Sequence, residues 1–169
     1  MLQDTSQGRM THDTRHKVKN AGNLAKTLSA LRSKGKRIVF TNGCFDILHV
    51  GHVTYLEKAK SLGDVLVVGL NSDKSVRAIK GKSRPINNER DRAKVLAALS
   101  FVDYITIFSE ATPKELIKKL RPETIVKGGD WKAIDIVGAS LVRSYGGRVV
   151  VLPFAKDYST TSLIKRLKE

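Results

Sequence analysis

A continuous apolar run in the first half of the chain, Val65-Leu66-Val67-Val68-Gly69-Leu70, most constrains the fold. Such a run is typical of a central strand buried on both faces of a parallel sheet. Shorter apolar runs at 37–40, 102–107, 123–126 and 148–152 predict four more strands, and helical patterns separate them. Strands and helices in alternation indicate βαβ units. We therefore predict an α/β, Rossmann-like single domain with a five-stranded parallel sheet and helices on both faces.

Capping residues and apolar periodicity place the helices between these strands. Ser72 or Asp73 is the expected cap of a short helix after the long apolar run, and Thr112 is the expected cap of a later one. In a helix between these two, Val95 is expected to face the core. Besides the short helix that begins at Ser72 or Asp73, the predicted helices lie at 24–31, 53–62, 87–99 (with Val95), 113–120 (after Thr112), 134–145 and 158–169.

Composition bounds the class of protein. The chain has 169 residues, of which 41% are hydrophobic and 6% aromatic, an ordinary balance for one globular domain. It has no apolar run of 18 residues, no apolar signal-peptide core in residues 1–20, and one cysteine, Cys44. These features predict a cytoplasmic protein without a membrane segment or an internal disulfide framework. Residues 1–20 are expected to form a polar, disordered tail before a folded domain at 21–169.

The net charge is strongly positive, at +15 from 31 Lys and Arg residues and 16 Asp and Glu residues. Nucleic acid, a membrane surface or small polyphosphates could each account for such a charge. The sequence has no RNA-binding aromatic signature and no recognition-helix pattern, and beyond residue 37 its basic residues are scattered over helices. Small polyphosphates are therefore the favoured partners. A basic nucleotide- or nucleic-acid-binding module without turnover stays open as an alternative.

The stretch with the most chemical information is T-N-G-C-F-D-I-L-H-V-G-H at 41–52, between a predicted strand and a predicted helix. The free N–H groups and positive dipole end of a helix N-terminus suit a phosphate. His49 and His52 are three residues apart, so both rings can face one point and donate hydrogen bonds to an oxyanion. Alternatively, one histidine caps the helix and the other lies at the surface. The strand and Gly43 favour the functional interpretation.

Three later segments add candidate phosphate contacts. K-G-K-S-R-P at 80–85 is a cationic loop that could cover a phosphate-rich site or simply be solvated. The Gly-Gly pair of K-G-G-D-W at 127–131 would let the backbone approach a ligand. The hydroxyl groups of S-T-T at 159–161 can cap the last helix or hold a phosphate beside its N–H groups.

Together these motifs resemble the heptose 1-phosphate adenylyltransferases of bacterial ADP-heptose synthesis, within the H-x-G-H nucleotidyltransferase superfamily. The match covers about residues 21–169, and K-G…R-P-x-N and K-G-G-D-W are its most specific parts. The resemblance implies transfer of AMP from ATP to D-glycero-β-D-manno-heptose 1-phosphate, with Mg²⁺ accompanying ATP and no protein residue committed as its ligand. The resemblance is also compatible with a homodimer.

The glycerol-3-phosphate cytidylyltransferases are the nearest alternative family. They share H-x-G-H, a D-W pair and S-T-T. They commonly have Thr at the position of Cys44 and an Arg shortly before S-T-T, where this chain has Phe154-Ala155-Lys156. These two differences favour the heptose enzyme.

The resemblance also implies roles for individual residues. The expected catalytic residues are His49, His52 and Lys80. The expected nucleotide-binding residues are Thr41, Asn42, Gly43, Cys44, Phe45, Gly51, Arg92, Gly129, Asp130, Trp131, Ser159, Thr160 and Thr161. The expected contacts to the sugar phosphate are Asp46, Asn71 and Arg84. Bland alternatives stay open for three of them, since Arg92 could only bridge helices, Asp130 could cap a turn and Trp131 could lie in the core.

Overall fold

Five strands and six α-helices alternate along the part of the chain that the computed structural model describes, residues 14–129 and 132–153. The strands are β1 (Ile38–Gly43), β2 (Val65–Asn71), β3 (Tyr104–Phe108), β4 (Thr124–Gly128) and β5 (Arg148–Leu152). The helices are α1 (Ala21–Arg32), α2 (Val50–Lys60), α3 (Asp73–Lys80), α4 (Glu89–Ala97), α5 (Lys114–Leu120) and α6 (Ala139–Ser144).

The strands form one parallel sheet in the order β3-β2-β1-β4-β5, with β1 at its centre. Successive strand residues point to opposite faces of the sheet. Ile38 and Phe40 therefore pack with α1, α5 and α6, whereas Val39 packs with α2 and α4. Both faces are covered, which explains why all seven residues of β2 are buried. The predicted fold class is confirmed.

Side-chain caps begin three of the helices. Asn20, Ser72 and Asn88 each accept a hydrogen bond from a backbone N–H in the first turn of α1, α3 and α4. Each such cap is typically worth about 1 kcal/mol. The predicted cap at Thr112 is wrong, because Pro113 occupies the N-cap position of α5 and no side-chain cap bond forms there. A capping side chain reaches the free N–H groups only from the N-cap position itself.

The buried face of α4 differs from the predicted one, and the helix is shorter than 87–99. Val95 is 49% exposed, so its predicted core position is wrong. The inward stripe consists of Arg92, Ala93, Leu96 and Ala97. Because a charged residue occupies one of its positions, a prediction based on apolar residues alone rotates this face.

The helix predicted at 134–145 is also longer than the one observed. Turns occupy 133–138, and Gly138 has a left-handed φ of 88° immediately before Ala139 begins α6. A Cβ at Gly138 would lie 2.7 Å from Ile117 Cδ1, so neither the backbone nor the space suits another residue. The helix therefore begins only after this glycine.

The described structure begins before the predicted domain boundary at residue 21. Val18 forms a parallel bridge with Ile105, and the Lys19 N–H donates to the Ile105 carbonyl at 2.9 Å. The Lys17 Nζ donates to the Leu99 carbonyl at 3.1 Å. The helix predicted at 158–169 lies outside the described residues. Among the helices that the structure describes, none has the length and apolar character needed to cross a membrane.

Candidate active site

The candidate site lies where the carboxyl ends of β1 and β4 meet. The chain passes from β1 to β2 on one side and, after β3, crosses to β4 on the other side of β1. Ligands of open parallel sheets bind in the crevice at such a reversal of strand order. The β1–α2 loop, residues 44–49, and Gly129 after β4 both border this crevice.

Thr41 fixes the β1–α2 loop from inside the sheet. Its hydroxyl lies 2.7 Å from the Tyr55 hydroxyl, which donates to the Val126 carbonyl at 3.1 Å. Burial raises the pKa of Tyr55 to about 12, against the opposing hydrogen bond with Thr41. Thr41 is itself fully buried, so its observed contacts support the loop by joining β1, α2 and β4.

Phe45 gives the loop a constrained shape. Its φ is +44°, a conformation that residues other than glycine rarely adopt, and its ring is buried. A Cβ at Gly43 would lie 3.0 Å from Phe45 Cε2, so a larger residue there would have to displace the ring. The Phe45 ring also meets the His52 ring edge-on, with centroids 5.2 Å apart. The loop shape and the histidine position therefore depend on each other.

The two histidines converge at the start of α2. His49 is the N-cap residue, His52 lies in the first turn, and their rings stack with centroids 3.8 Å apart and planes 27° apart. Gly51 lies between them in the same turn. The first turn of α2 contains no acidic residue, so its positive dipole end is not neutralised there. Two rings and a helix N-terminus thus share one region, as the three-residue spacing predicts.

Both imidazoles are neutral at neutral pH. Burial lowers the pKa of His49. Burial and, after it, the neighbouring His49 lower the pKa of His52 to about 4, although a hydrogen bond with the Ile47 backbone opposes this shift. A neutral imidazole presents one N–H donor and one acceptor. An oxyanion that accepts such a hydrogen bond favours the charged ring, so binding of a phosphate would raise both pKa values.

The lowered pKa of His52 predicts a pH dependence of stability. Between about pH 4 and the unfolded value near 6.5, the unfolded chain binds more protons than the folded chain, so the free energy of unfolding rises with pH. The contribution of the neutral His52 ring to the free energy of unfolding is therefore complete above about pH 6.5 and is lost as the pH falls toward 4. We expect wild type to lose on the order of 1–3 kcal/mol more than His52→Gln between pH 7 and pH 5, as measured by urea unfolding. Parallel pH curves for the two proteins would contradict the assigned pKa.

Asp46 fastens the cationic loop between α3 and α4, residues 81–88, to the β1–α2 loop. Its carboxylate accepts hydrogen bonds from Arg84 Nε and from the N–H groups of Ile86 (2.8 Å) and Asn87 (3.0 Å). The Asn87 side chain donates in turn to the Asp46 carbonyl at 2.9 Å. Burial alone would raise the pKa of Asp46, but the amides of Asn87 and Ile86 and the Arg84 guanidinium outweigh it and hold this pKa below its usual range. The resemblance implies that Asp46 contacts the sugar phosphate, but its observed contacts favour a role in holding the loop.

Arg92 supports the same two loops from below. Its side chain is 1% exposed, and its guanidinium donates to the Cys44 carbonyl, the Asn87 carbonyl and the Asp73 carboxylate. These contacts join α4, α3 and the β1–α2 loop. The arrangement favours the alternative in which Arg92 bridges elements, rather than direct contact with a nucleotide.

Several charged side chains near the crevice act on the Cys44 thiol. Burial raises the pKa of its thiol, while the positive charges of Lys80, Arg92 and Arg84 act in the opposite direction. Lys80 is the last residue of α3 and is exposed. Three cations from three segments and the Asp46 carboxylate therefore all act on this thiol, and the excess of positive charge favours an anionic ligand.

Lys127, in β4, also belongs to this crevice and was missed by the sequence analysis. Its Nζ lies 3.1 Å from Asn42 Oδ1 and 3.3 Å from the Asn42 carbonyl oxygen, and it interacts electrostatically with Cys44. Burial lowers the pKa of Lys127. A lysine inside an otherwise buried strand, just before a Gly-Gly pair, is the sequence signal that could have identified it.

The remaining predicted site residues divide into two groups. Asn71 ends β2 and is buried, and its side chain donates to Ser75 Oγ at 2.9 Å. The Gly129 N–H donates to the Leu152 carbonyl at 2.9 Å, beside the crevice. The others lie outside the described residues, and they are Asp130, Trp131, Ser159, Thr160 and Thr161.

The described residues do not form a protein-held metal site. They contain no group of three His, Cys, Asp or Glu side chains that could hold an ion. Asp46 is already engaged by Arg84 and two amides. Mg²⁺ usually accompanies nucleotides held mainly by phosphate oxygens and water, and the described residues of this crevice are compatible with that arrangement.

Comparisons with known proteins agree with this geometry. The pattern of the cytidylyltransferase-like family matches residues 40–166, which include the crevice and both histidines. The chain belongs to the cytidylyltransferase-like family. Its predicted class, a nucleotidyltransferase, is confirmed.

Members of this family with known names are similar over almost the whole chain. The chain is 54% identical over 157 residues to the bifunctional protein HldE of Pelobacter propionicus, covering 93% of this chain and 32% of that protein. It is 49% identical over 168 residues to HldE of Campylobacter curvus, covering 99% of this chain and 35% of that protein. The chain thus spans about a third of the length of these curated relatives.

A solved structure supports the fold. A crystal structure titled as the lipopolysaccharide core biosynthesis protein from Thermoplasma volcanium is 32% identical, with a TM-score of 0.58, and the match covers 74% of this chain and all of that one. The parallel α/β architecture of this cytidylyltransferase-like chain is therefore shared with an experimentally determined relative.

Proposed function

We propose that this chain transfers AMP from ATP to D-glycero-β-D-manno-heptose 1-phosphate, which yields ADP-heptose and pyrophosphate for lipopolysaccharide core or other heptose glycan synthesis. The observation that carries the proposal is the stacked pair of neutral imidazoles at the start of α2. The pair lies at the reversal of strand order, in the same loop region as Cys44, on which the positive charges of Lys80, Arg84 and Arg92 act. The identity to the HldE proteins and the motif resemblance support the sugar substrate.

The reaction needs electrostatic stabilisation more than it needs a base. The attacking oxygen belongs to a phosphate monoester whose second pKa is about 6, so it is largely ionised at neutral pH. The difficulty is to bring two polyanions together and to stabilise the charge that develops at the α-phosphorus. No covalent enzyme intermediate is required. The raised pKa of Cys44 supports a mechanism without one, because it keeps the side chain a thiol, which is a much poorer nucleophile than a thiolate.

Each group of expected site residues would contribute a different part of this stabilisation. His49 and His52 would donate hydrogen bonds to the α-phosphate, and the backbone N–H groups of residues 43–45 would hold the same phosphates. Lys80 and Arg84 would neutralise the incoming sugar phosphate or the departing pyrophosphate. Ser159, Thr160 and Thr161 would cradle the β- and γ-phosphates. Mg²⁺ would arrive with ATP and neutralise part of the triphosphate charge.

A pyrophosphate-release assay with each pairing of nucleotide and acceptor tests the proposal. We expect ATP with heptose 1-phosphate to exceed CTP with glycerol 3-phosphate by about a hundredfold or more in kcat/KM, because sites that hydrogen-bond one substrate reject others strongly. Omission of the acceptor controls for nucleotide hydrolysis. A preference for CTP and glycerol 3-phosphate would support the cytidylyltransferase alternative. No turnover with any pair, together with steeply salt-dependent binding to nucleic acid, would support the binding module.

A further inference from the structure

A lysine at the floor of the crevice has no part in the reaction as set out above. Lys127 lies in β4, next to the central strand β1, and its side chain is partly buried. Its Nζ reaches across to Asn42, the residue before the last one of β1. The ammonium therefore lies between the carboxyl ends of the two strands at which the strand order reverses, which is where a ligand of this fold is expected.

The partners of this ammonium are incomplete for a buried cation. Both acceptors on Asn42 are neutral oxygens, at 3.1 and 3.3 Å, whereas an ammonium has three N–H donors. Within residues 14–129 and 132–153, five ion pairs form and none of them includes Lys127. Burying a cation without an opposite charge is unfavourable, and burial does lower the pKa of this amine.

We propose that Lys127 binds a phosphate oxygen of the reacting substrates, and that it is a catalytic residue of the proposed adenylyl transfer, on which this inference rests. The ligand chemistry is a phosphate oxyanion, from either the nucleotide or the sugar 1-phosphate. A phosphate oxygen would accept a hydrogen bond from the ammonium of Lys127 and supply the negative charge that favours its charged form. The hydrogen bond between an ammonium and a phosphate is of the charge-assisted kind, which is stronger than a neutral one.

The position of Cys44 supports the assignment. Its thiol interacts electrostatically with Lys127, and also with Lys80, Arg84 and Arg92. Arg92 is paired with Asp73, and Arg84 is held by Asp46, so two of these cations are already matched by carboxylates. Lys80 and Lys127 form no ion pair among the described residues, and both act electrostatically on the Cys44 thiol. An anion that enters the crevice beside Cys44 would be approached by both.

A purely structural alternative exists, in which Lys127 only ties β1 to β4 through Asn42. The two roles differ in what they require of the side chain. A tie to Asn42 needs only a hydrogen-bond donor, which glutamine supplies, whereas a phosphate contact of this kind needs the positive charge. Lys127→Gln and Lys127→Met therefore separate the two, and Lys127→Arg retains the charge with a larger head group.

The experiment compares these three variants with wild type by steady-state kinetics, calorimetric binding of ATP and of heptose 1-phosphate, and thermal unfolding. We expect Lys127→Met and Lys127→Gln to lower kcat/KM by roughly ten- to a thousandfold, and Lys127→Arg to retain more activity than Lys127→Gln. An altered KM or Kd identifies which substrate supplies the phosphate, and a change in kcat alone indicates contact only in the transition state. Lys118→Met removes one exposed charge from α5 and is the matched control, expected within about twofold of wild type.

Two results would overturn the inference. One is a Lys127→Gln protein with wild-type kcat/KM, which would leave only the tie to Asn42. The other is a folded Lys127→Met protein whose kinetics and binding constants stay within about twofold of wild type. If wild type itself transfers no nucleotide, the proposed function fails. The binding measurements still decide the role of Lys127 in that case, since unchanged affinities for ATP and heptose 1-phosphate in Lys127→Gln would exclude contact with either phosphate.

Discussion

Replacing His52 by alanine is expected to lower kcat for adenylyl transfer by on the order of a hundredfold or more, the loss typical of a missing donor to a developing oxyanion. The ring stands in the first turn of α2, it is neutral, and it stacks on His49 with centroids 3.8 Å apart. The ring is therefore held in place before substrate binds, and a phosphate that raises its pKa would favour the charged ring, in which both nitrogens donate. The measurement is single-turnover or steady-state pyrophosphate release at saturating ATP and heptose 1-phosphate.

Controls separate loss of the donor from loss of structure. The His52 ring packs against Phe45, so alanine also leaves a gap, and thermal unfolding must accompany the kinetics. His16→Ala makes the same substitution at an exposed residue and is expected to leave kcat unchanged. A folded His52→Ala protein with full activity would remove the mechanism.

The stacking of the two histidines makes a further part of this prediction specific. If both rings act on one phosphate group, each single substitution already disrupts the shared arrangement. The double variant His49→Ala/His52→Ala should then lose much less than the product of the two single losses. Losses that multiply independently would indicate that the two imidazoles act at separate points.

The fold was readable from the sequence because its signals are local. A short continuous apolar run is typical of a strand buried on both faces, and β2 is buried at every position. Where H-x-G-H begins a helix, its three-residue spacing brings the two rings to the same side of the first turn. These features depend on residues a few positions apart, which a sequence displays directly.

The parts that could not be predicted depend on contacts between distant residues. Asp46 meets Arg84, which is 38 positions away, and nothing in either segment identifies the other as its partner. The sequence left two roles open for Arg92, a nucleotide contact and a bridge between helices, and its burial against Asp73 and two carbonyl groups favours the bridge. Lys127 directly follows the strand predicted at 123–126, and no role was predicted for it from the sequence alone. Tertiary structure alone decides which charges face the crevice and which support it.

Replacing Asp46 by asparagine is expected to destabilise the protein strongly, because one carboxylate holds the loop between α3 and α4. The substitution removes the charge that pairs with Arg84 and places an NH₂ group among donors that include the Ile86 and Asn87 amides. Breaking a buried pair of this kind costs several kcal/mol, and since Arg84 is 16% exposed we expect a loss of roughly 2–4 kcal/mol in the free energy of unfolding.

The same change should weaken substrate binding, because Arg84 and the neighbouring Lys80 lose their fixed position at the crevice. We expect the KM for the sugar phosphate to rise by about tenfold or more, as measured at saturating ATP. Asp64→Asn is the matched control. Asp64 also accepts a backbone N–H, from Arg37 at 2.8 Å, and pairs with the Arg37 side chain. It is exposed, however, and lies near the amino ends of β1 and β2, away from the crevice at their carboxyl ends.

A double-mutant cycle decides whether the loop attachment is the cause. If Asp46 acts by holding Arg84, then Arg84→Ala should raise the same KM, and Asp46→Asn should add little to it. The two substitutions should also be non-additive in the free energy of unfolding, because each removes one partner of the same pair. Fully additive effects on both KM and stability would show that Asp46 acts independently of Arg84. In that case the carboxylate would have to meet the substrate itself, which is the role that the resemblance implies for it.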